Sequence, residues 1–199
     1  FQGIKTIDVF NLTNEKIATL IDELKKNNAN TSMIGYASIF KKIANYLDKI
    51  GSAPINCNLQ SIVGMSERLD TAVKKSMKHY FNVDMVSRYS NAENGMLAQQ
   101  PKGKEYFEIN WASYHIEILE MYNDEPVNIG ELGRIVITDI FNYAMPIIRY
   151  DTGDVGIIDV VNGNKVLTSV EGRKMDMLKT TKGEILSTSL LMVINKYEE

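Results

Sequence analysis

The chain has 199 residues, a formal net charge of −3, and 44% hydrophobic against 24% charged residues. That is the balance of a folded protein of one large or two small domains, and it argues against a disordered chain. It offers no electrostatic basis for binding nucleic acid or an anionic membrane. The single cysteine, Cys57, excludes an internal disulfide and a cysteine-rich metal site. No apolar run approaches the roughly 20 residues that span a bilayer.

No signal peptide is visible, so a reducing, cytoplasmic setting is the default expectation. Phe1-Gln2-Gly3 matches the end of a protease-cleavable tag, and residues 1–3 are set aside as a tag remnant. Both ends are expected to be cuts, because Ile194 to Glu199 stops inside an amphipathic helical pattern.

From the N-terminus, Thr13 followed by Ile17, Leu20, Ile21 and Leu24 predicts a capped amphipathic helix. Residues 32–36 predict a short buried strand. Ser38 is expected to cap a helix that buries Phe40, Ile43, Ala44, Leu47 and Ile50. After a loop at 51–58 come a strand at 59–64, a helix from about Asp70 to Tyr80, and a strand at 83–89. Short apolar strands alternating with helices predict βαβ units in a parallel sheet, with ligands beyond the carboxyl ends of the strands.

The pattern changes after about residue 95. Strands are predicted at 106–111, 114–121, 133–139, 155–160 and 165–169, with a hairpin at Asn162-Gly163. Gly183 to Leu186, followed by Ser189, reads as a strand leading into a helix. The fold class is therefore α/β: a parallel βαβ layer followed by a β-rich antiparallel subdomain.

The most informative segment is Arg149-Tyr150-Asp151-Thr152-Gly153-Asp154, followed by Arg173. Thr-Gly-Asp is expected to set a carboxylate on a tight turn, where Gly permits a left-handed backbone. Such a carboxylate accepts from paired hydroxyls such as those of a ribose. An arginine arriving from a nearby turn can meet a phosphate in a bidentate fork. Two more polar clusters follow predicted strands: Ser66-Glu67-Arg68, and Tyr89 through Glu93. Near phosphates, Glu93 would work through Mg²⁺, since two anions otherwise repel.

These segments come in a familiar order. Tyr89-Ser90-Asn91-Ala92-Glu93, Gly130-Glu131-Leu132-Gly133, Arg149 to Asp154, and Glu171-Gly172-Arg173-Lys174-Met175-Asp176 resemble the adenylate-forming (acyl-CoA synthetase) superfamily. Pro146-Ile147-Ile148-Arg149-Tyr150, Gly35-Tyr36-Ala37-Ser38 and Met65-Ser66-Glu67 most resemble its phenylacetate–CoA ligase and capsular-polysaccharide branch. The resemblance covers about residues 4–190. It implies a large-domain fragment with an α/β sublayer at 4–100, a β-rich subdomain at 101–175, and a hinge plus the start of a C-terminal domain at 176–199.

The resemblance also implies a two-step reaction. A carboxylic acid, aryl or small acyl, attacks ATP to give an acyl-adenylate; coenzyme A or another thiol then takes the acyl group. Tyr89 would lie against the adenine, Ser90 would belong to the same cofactor-binding segment, and Ser66 and Glu67 would line the adenine pocket. Glu93 would serve catalysis and hold Mg²⁺. Asp154 would bind the ribose hydroxyls and Arg173 the ribose or phosphate side. Tyr36 and Ala92 would lie toward the substrate, and Asp176 would mark the hinge.

The departures are specific. Ala92 replaces the hydroxyl usual at that motif position, Ser90 replaces a glycine, and Ala37 replaces a proline. No Gly/Ser/Thr-rich phosphate loop precedes Tyr36, so the chain alone is expected to be inactive in the full reaction.

Each residue also has a plain structural reading. Asp154 could cap a turn, Tyr89 could pack, and Glu93 could open a helix. Arg149 is as well explained by an ion pair with Asp151 or Asp139 as by a ligand. His79 reads as a solvated helix residue. His115 and Glu117 share a strand face and read as structural. Cys57 has no basic neighbour to make it a nucleophile. The methionines read as core filler. A non-catalytic nucleotide-binding or structural module is the second reading of the whole, favoured by Ala92. The sequence leaves the oligomeric state open.

Overall fold

The computed structural model describes residues 3–173, 178–179 and 185–186. Asp176, the Gly183-Glu184 and Ser189 positions, and the C-terminal helical pattern lie outside the described residues, as do Phe1 and Gln2. The chain divides into two compact units, Phe1–Ser87 and Arg88–Glu199.

In the first unit α1 (Asn14–Lys26) is capped by Thr13, whose hydroxyl accepts from the Lys16 amide. Ile17, Ile21 and Leu24 recur at helical spacing and all are buried. β1 (Thr31–Tyr36) leads into α2 (Ala37–Lys49), which returns the chain to β2 (Leu59–Met65). β1 and β2 pair in parallel with Gly35 opposite Gly64 and Tyr36 opposite Met65, so this is a βαβ unit. Asp70 caps α3 (Thr71–Phe81) through the Ala72 amide, and Asn82 closes it in a left-handed conformation.

Phe40, Ile43 and Leu47 of α2 meet Val73 and Met77 of α3 and Ile62 of β2 in one apolar core. Cys57 packs against the edge of that core, and His79 is exposed. The predicted cap at Ser38 is not the one observed. Tyr36 occupies the cap position without a side-chain bond, and the Ser38 amide is bonded by Glu67 instead. Ile50, expected inside, is 55% exposed, because α2 ends at Lys49 and leaves it past the buried face.

β3 (Met85–Asn91) carries the chain into the second unit. There it pairs antiparallel with β4 (Gly95–Gln99), which pairs with β5 (Glu108–Ile109). β4 was not predicted: only Leu97 and Ala98 in it are buried, and its composition does not alternate clearly. The long strand expected over 106–111 shrinks to β5: Tyr106 lies in a bend, Phe107 bridges Leu167 singly, and a turn begins at Trp111.

β6 (Tyr114–Leu119), β7 (Leu132–Asp139), β8 (Tyr150–Val161) and β9 (Asn164–Arg173) form an antiparallel meander, with the expected Asn162-Gly163 turn between the last two. Ile116, Ile135, Ile137 and Leu167 build the core here with Tyr89 and Leu97. Gly133 and Gly156 face each other across β7 and β8. A Cβ on Gly133 would stand 2.3 Å from the Leu119 carbonyl oxygen, and one on Gly156 would stand 2.6 Å from that of Ser169. Further on, β10 (Leu178–Lys179) pairs antiparallel with β11 (Ile185–Leu186).

Candidate functional site

In the first unit the parallel register brings Tyr36 and the segment Ser66-Glu67 to the carboxyl end of the same strand pair. Tyr36 is partly exposed and Ser66 is exposed in a left-handed conformation (φ 62°). Glu67 is already engaged. One carboxylate oxygen accepts from the Ser38 amide at 2.6 Å and the other from the Ser38 hydroxyl at 3.0 Å. A carboxylate at the opening turn of α2 satisfies an amide that the helix cannot bond itself.

In the second unit the link between β3 and β4 is a turn at Ala92-Glu93-Asn94, not a helix start, so the acid-at-a-helix reading of Glu93 is set aside. The turn is braced from several sides. The Asn91 side-chain oxygen accepts from the Asn94 amide at 2.8 Å, and the Tyr114 hydroxyl donates to the Asn94 carbonyl. Glu93 and Ala92 are exposed, Ser90 is half-buried, and the Tyr150 hydroxyl donates to Glu93 Oε1 at 3.2 Å. Burial first, and this bond second, raise the Tyr150 phenol above its ordinary pKa.

Asp154 was expected on a turn at the end of a run. It stands instead inside β8, on a bulge. Arg134 faces Val155 and Val136 faces Asp151, so residues 152–154 stand opposite Ile135 alone. Gly153 supplies the positive φ of 75° that the bulge requires. Thr152 is buried; its hydroxyl donates to the Ile135 carbonyl at 2.9 Å and accepts from the Asp154 amide at 3.1 Å.

The Asp154 carboxylate is held on both oxygens. Tyr89 donates to Oδ2 at 2.9 Å, and the Arg173 Nε lies 3.4 Å from Oδ1. Arg173 does not reach in from a turn: it ends β9 as the direct cross-strand partner of Asp154, and its Nη1 donates to the Thr152 carbonyl at 2.8 Å. Tyr89 is 8% exposed, and burial, reinforced by the Asp154 charge, pushes its phenol far above the ordinary range. It is a neutral donor at any ordinary pH. A carboxylate has about four lone-pair positions, so Asp154 retains acceptor capacity after these two contacts. Its side chain is 15% exposed.

Tyr89, Asp154 and Arg173 thus form one constellation, and Glu93 and Tyr150 another within the same unit. Tyr36, Ser66 and Glu67 belong to the first unit. Arg149 pairs with Glu117 at 3.2 Å, not with Asp151 or Asp139; Asp151 is taken by Arg134 at 2.7 Å. Sequence reasoning passed over Tyr150 and Thr152. A signal for Tyr150 was present, since Tyr89 to Glu93 and Tyr150 to Asp154 repeat one spacing of tyrosine to acid. Among the described residues no cluster of His, Cys, Asp or Glu could hold a metal ion by itself. One exposed carboxylate such as Glu93 does fit Mg²⁺, which takes one or two protein carboxylates and completes its shell with phosphate oxygens and water. Among the described residues no helix is long and apolar enough to cross a membrane.

No protein-family profile and no curated protein sequence matches the chain. Solved structures do. An open conformation of 2-hydroxyisobutyryl-CoA ligase in complex with 2-HIB-AMP and CoA matches with a TM-score of 0.76 at 19% identity, over 92% of this chain and 45% of that one. ATP-bound MatB from Rhodopseudomonas palustris matches with a TM-score of 0.66 at 14% identity, over 94% and 38%. The anthranilate CoA ligase AuaEII in complex with anthranoyl-AMP matches with a TM-score of 0.64 at 17% identity, over 88% and 35%. The chain spans less than half the length of these structures. Its fold is mixed α/β, with a parallel strand pair and an antiparallel sheet, and it matches a segment of the adenylate-forming ligase fold.

Proposed function

We propose that this chain is the ribose-side part of a carboxylate-activating ligase. The carrying observation is the Asp154 carboxylate, presented on a glycine-dependent bulge and held by Tyr89 and Arg173. An acceptor fixed in advance loses little freedom when it meets the two hydroxyls of a ribose. Arg173 keeps its exposed guanidinium beside that place, suited to a ribose or phosphate oxygen. By the resemblance, Tyr89 lies against the adenine, Ser90 beside the nucleotide and Ala92 toward the acid in the second unit, while Tyr36, Ser66 and Glu67 are proposed ligand residues of the first unit. Mg²⁺ held at Glu93 would neutralise phosphate charge.

In the whole protein a carboxylate oxygen bonds to the α-phosphorus of ATP as the bond to the bridging oxygen breaks and pyrophosphate leaves. A thiol then bonds to the acyl carbon, AMP leaves, and the thiol proton passes to solvent. The acceptor is coenzyme A or another thiol, and the acid is aryl or small acyl. The phenylacetate–CoA ligase and capsular-polysaccharide branch is our finer placement, resting on the motifs at 35–38, 65–67 and 146–150. The setting is cytoplasmic.

The test is carboxylate-dependent pyrophosphate exchange by the whole protein, with Asp154→Ala beside it. Exchange with at least one acid, and loss of nucleotide affinity in the variant, is the expected result. Unchanged affinity in Asp154→Ala sinks the ribose assignment. A second reading, a nucleotide-binding module without acyl activation, is favoured by Ala92 and is supported if ATP binds but no acid gives exchange.

A further inference from the structure

The two carboxylates of the second unit are each held by a tyrosine from the other's segment. Tyr89 precedes Glu93 by the same interval as Tyr150 precedes Asp154, and the bonds cross. Tyr89 donates to Asp154 at 2.9 Å, and Tyr150 donates to Glu93 at 3.2 Å. Segment 89–93 and segment 150–154 therefore clasp each other through two phenol–carboxylate bonds. Tyr89 has a place in the site as proposed; Tyr150 has none.

The Glu93 backbone is already fixed by the Asn91–Asn94 and Tyr114–Asn94 bonds across the turn. What remains free is the side chain, which is exposed and long. The Tyr150 hydroxyl binds Oε1 only, and by donating to it makes that oxygen the poorer ligand. We propose that Tyr150 is a positioning residue, which fixes the Glu93 carboxylate with Oε2 turned outward to meet a divalent cation carried by the nucleotide phosphates. This rests on the nucleotide reading given above. It concerns only the hydroxyl, since phenylalanine keeps the ring.

The experiment uses Mn²⁺ as a paramagnetic probe, read by water-proton relaxation with ATP present, together with metal-free AMP binding. The proteins are the whole wild-type protein and its Tyr150→Phe, Glu93→Gln and double variants. Tyr150→Phe should weaken Mn²⁺ binding to the ATP complex about tenfold, the scale of lost outer-shell bonds at metal sites. AMP binding should stay within about twofold, because Tyr150 makes no bond to Asp154 or Arg173. The double variant should be no worse than Glu93→Gln. Glu93→Asp, whose shorter side chain breaks the same bond from the other end, should reproduce the loss and serves if Tyr150→Phe folds poorly.

Wild-type Mn²⁺ binding in Tyr150→Phe, beside a weakened Glu93→Gln, overturns the positioning role and leaves the nucleotide reading standing. Unweakened Mn²⁺ binding in Glu93→Gln, or a whole protein that binds neither ATP nor AMP, overturns the underlying reading and this proposal with it.

Discussion

Asp154 and Arg173 are direct cross-strand partners of β8 and β9, yet the closer contact of Asp154 is to Tyr89, at 2.9 Å against 3.4 Å. The environments differ more than the distances. Tyr89 is 8% exposed, whereas the Arg173 side chain is 64% exposed and shares its charge with water. A bond from a buried donor to a charged acceptor outweighs a solvated ion pair.

Tyr89→Phe should therefore destabilise the fold by about 1.5–3 kcal/mol, the range for hydrogen bonds to charged groups. Arg173→Ala should cost less than about 1 kcal/mol. Urea unfolding of both variants gives the comparison, and a larger loss in Arg173→Ala overturns this ranking.

Stability should fall at alkaline pH, partly through Tyr89. Burial holds its folded-state phenol above the ordinary value of 10.0. From about pH 10 upward the unfolded chain releases this proton while the folded chain keeps it, so the unfolded state binds fewer protons and stability declines. The contribution is complete below that pH and is lost above it. Tyr89→Phe should flatten the decline. It should not abolish it, because Tyr80, Tyr114 and Tyr150 are raised as well. Urea midpoints measured from neutral to alkaline pH check the slope.

Gly153→Ala strikes the bulge twice. Its φ is 75°, and the added Cβ would stand 3.0 Å from Arg173 Nη1. The backbone penalty alone is about 1–2 kcal/mol. The melting temperature should drop, and AMP affinity should fall with it as Arg173 is displaced. A variant as stable as the wild type would mean that the bulge tolerates a side chain.

Two arginines of similar appearance should behave differently. The Arg134 side chain is 11% exposed and bonds Asp124, Asp151 and the carbonyls of Glu120 and Asn123. Arg134→Met removes the cation from Asp124 and Asp151 and the donors from two carbonyls, and should cost about 1–3 kcal/mol. Arg149 pairs with Glu117 at 46% and 26% exposure, and Arg149→Ala should cost under about 1 kcal/mol in that pair. Thermal unfolding of the two variants decides it.

Much of the fold could be read from periodicity. α1, α2 and α3 were legible because their apolar residues recur at helical spacing, and Thr13 marks the start of α1. The Asn162-Gly163 hairpin was legible because few other sequences accept two consecutive positive φ angles. What periodicity hid was pairing. Thr152-Gly153-Asp154 looks like a turn because its residues are turn-formers, and only the register with β7 reveals a bulge within a longer strand. The Ser38–Glu67 and Arg149–Glu117 bonds join residues about thirty apart in sequence, beyond the reach of local patterning. At the site the residue types were visible, but not that Asp154 and Glu93 each already have a phenol donor.

The facing glycines of β7 and β8 bear on how the motif Gly130-Glu131-Leu132-Gly133 is to be understood. Gly130 has open space about it but a φ of 88°, which strains any side chain, while a Cβ on Gly133 would drive into the backbone of the neighbouring strand. Substitution should therefore fail for different reasons at the two ends, by backbone strain at 130 and by collision at 133. A substitution that abolishes nucleotide binding at position 133 would report a meander that failed to close. The motif's second glycine is accounted for by the fit between strands, with no ligand needed to explain it.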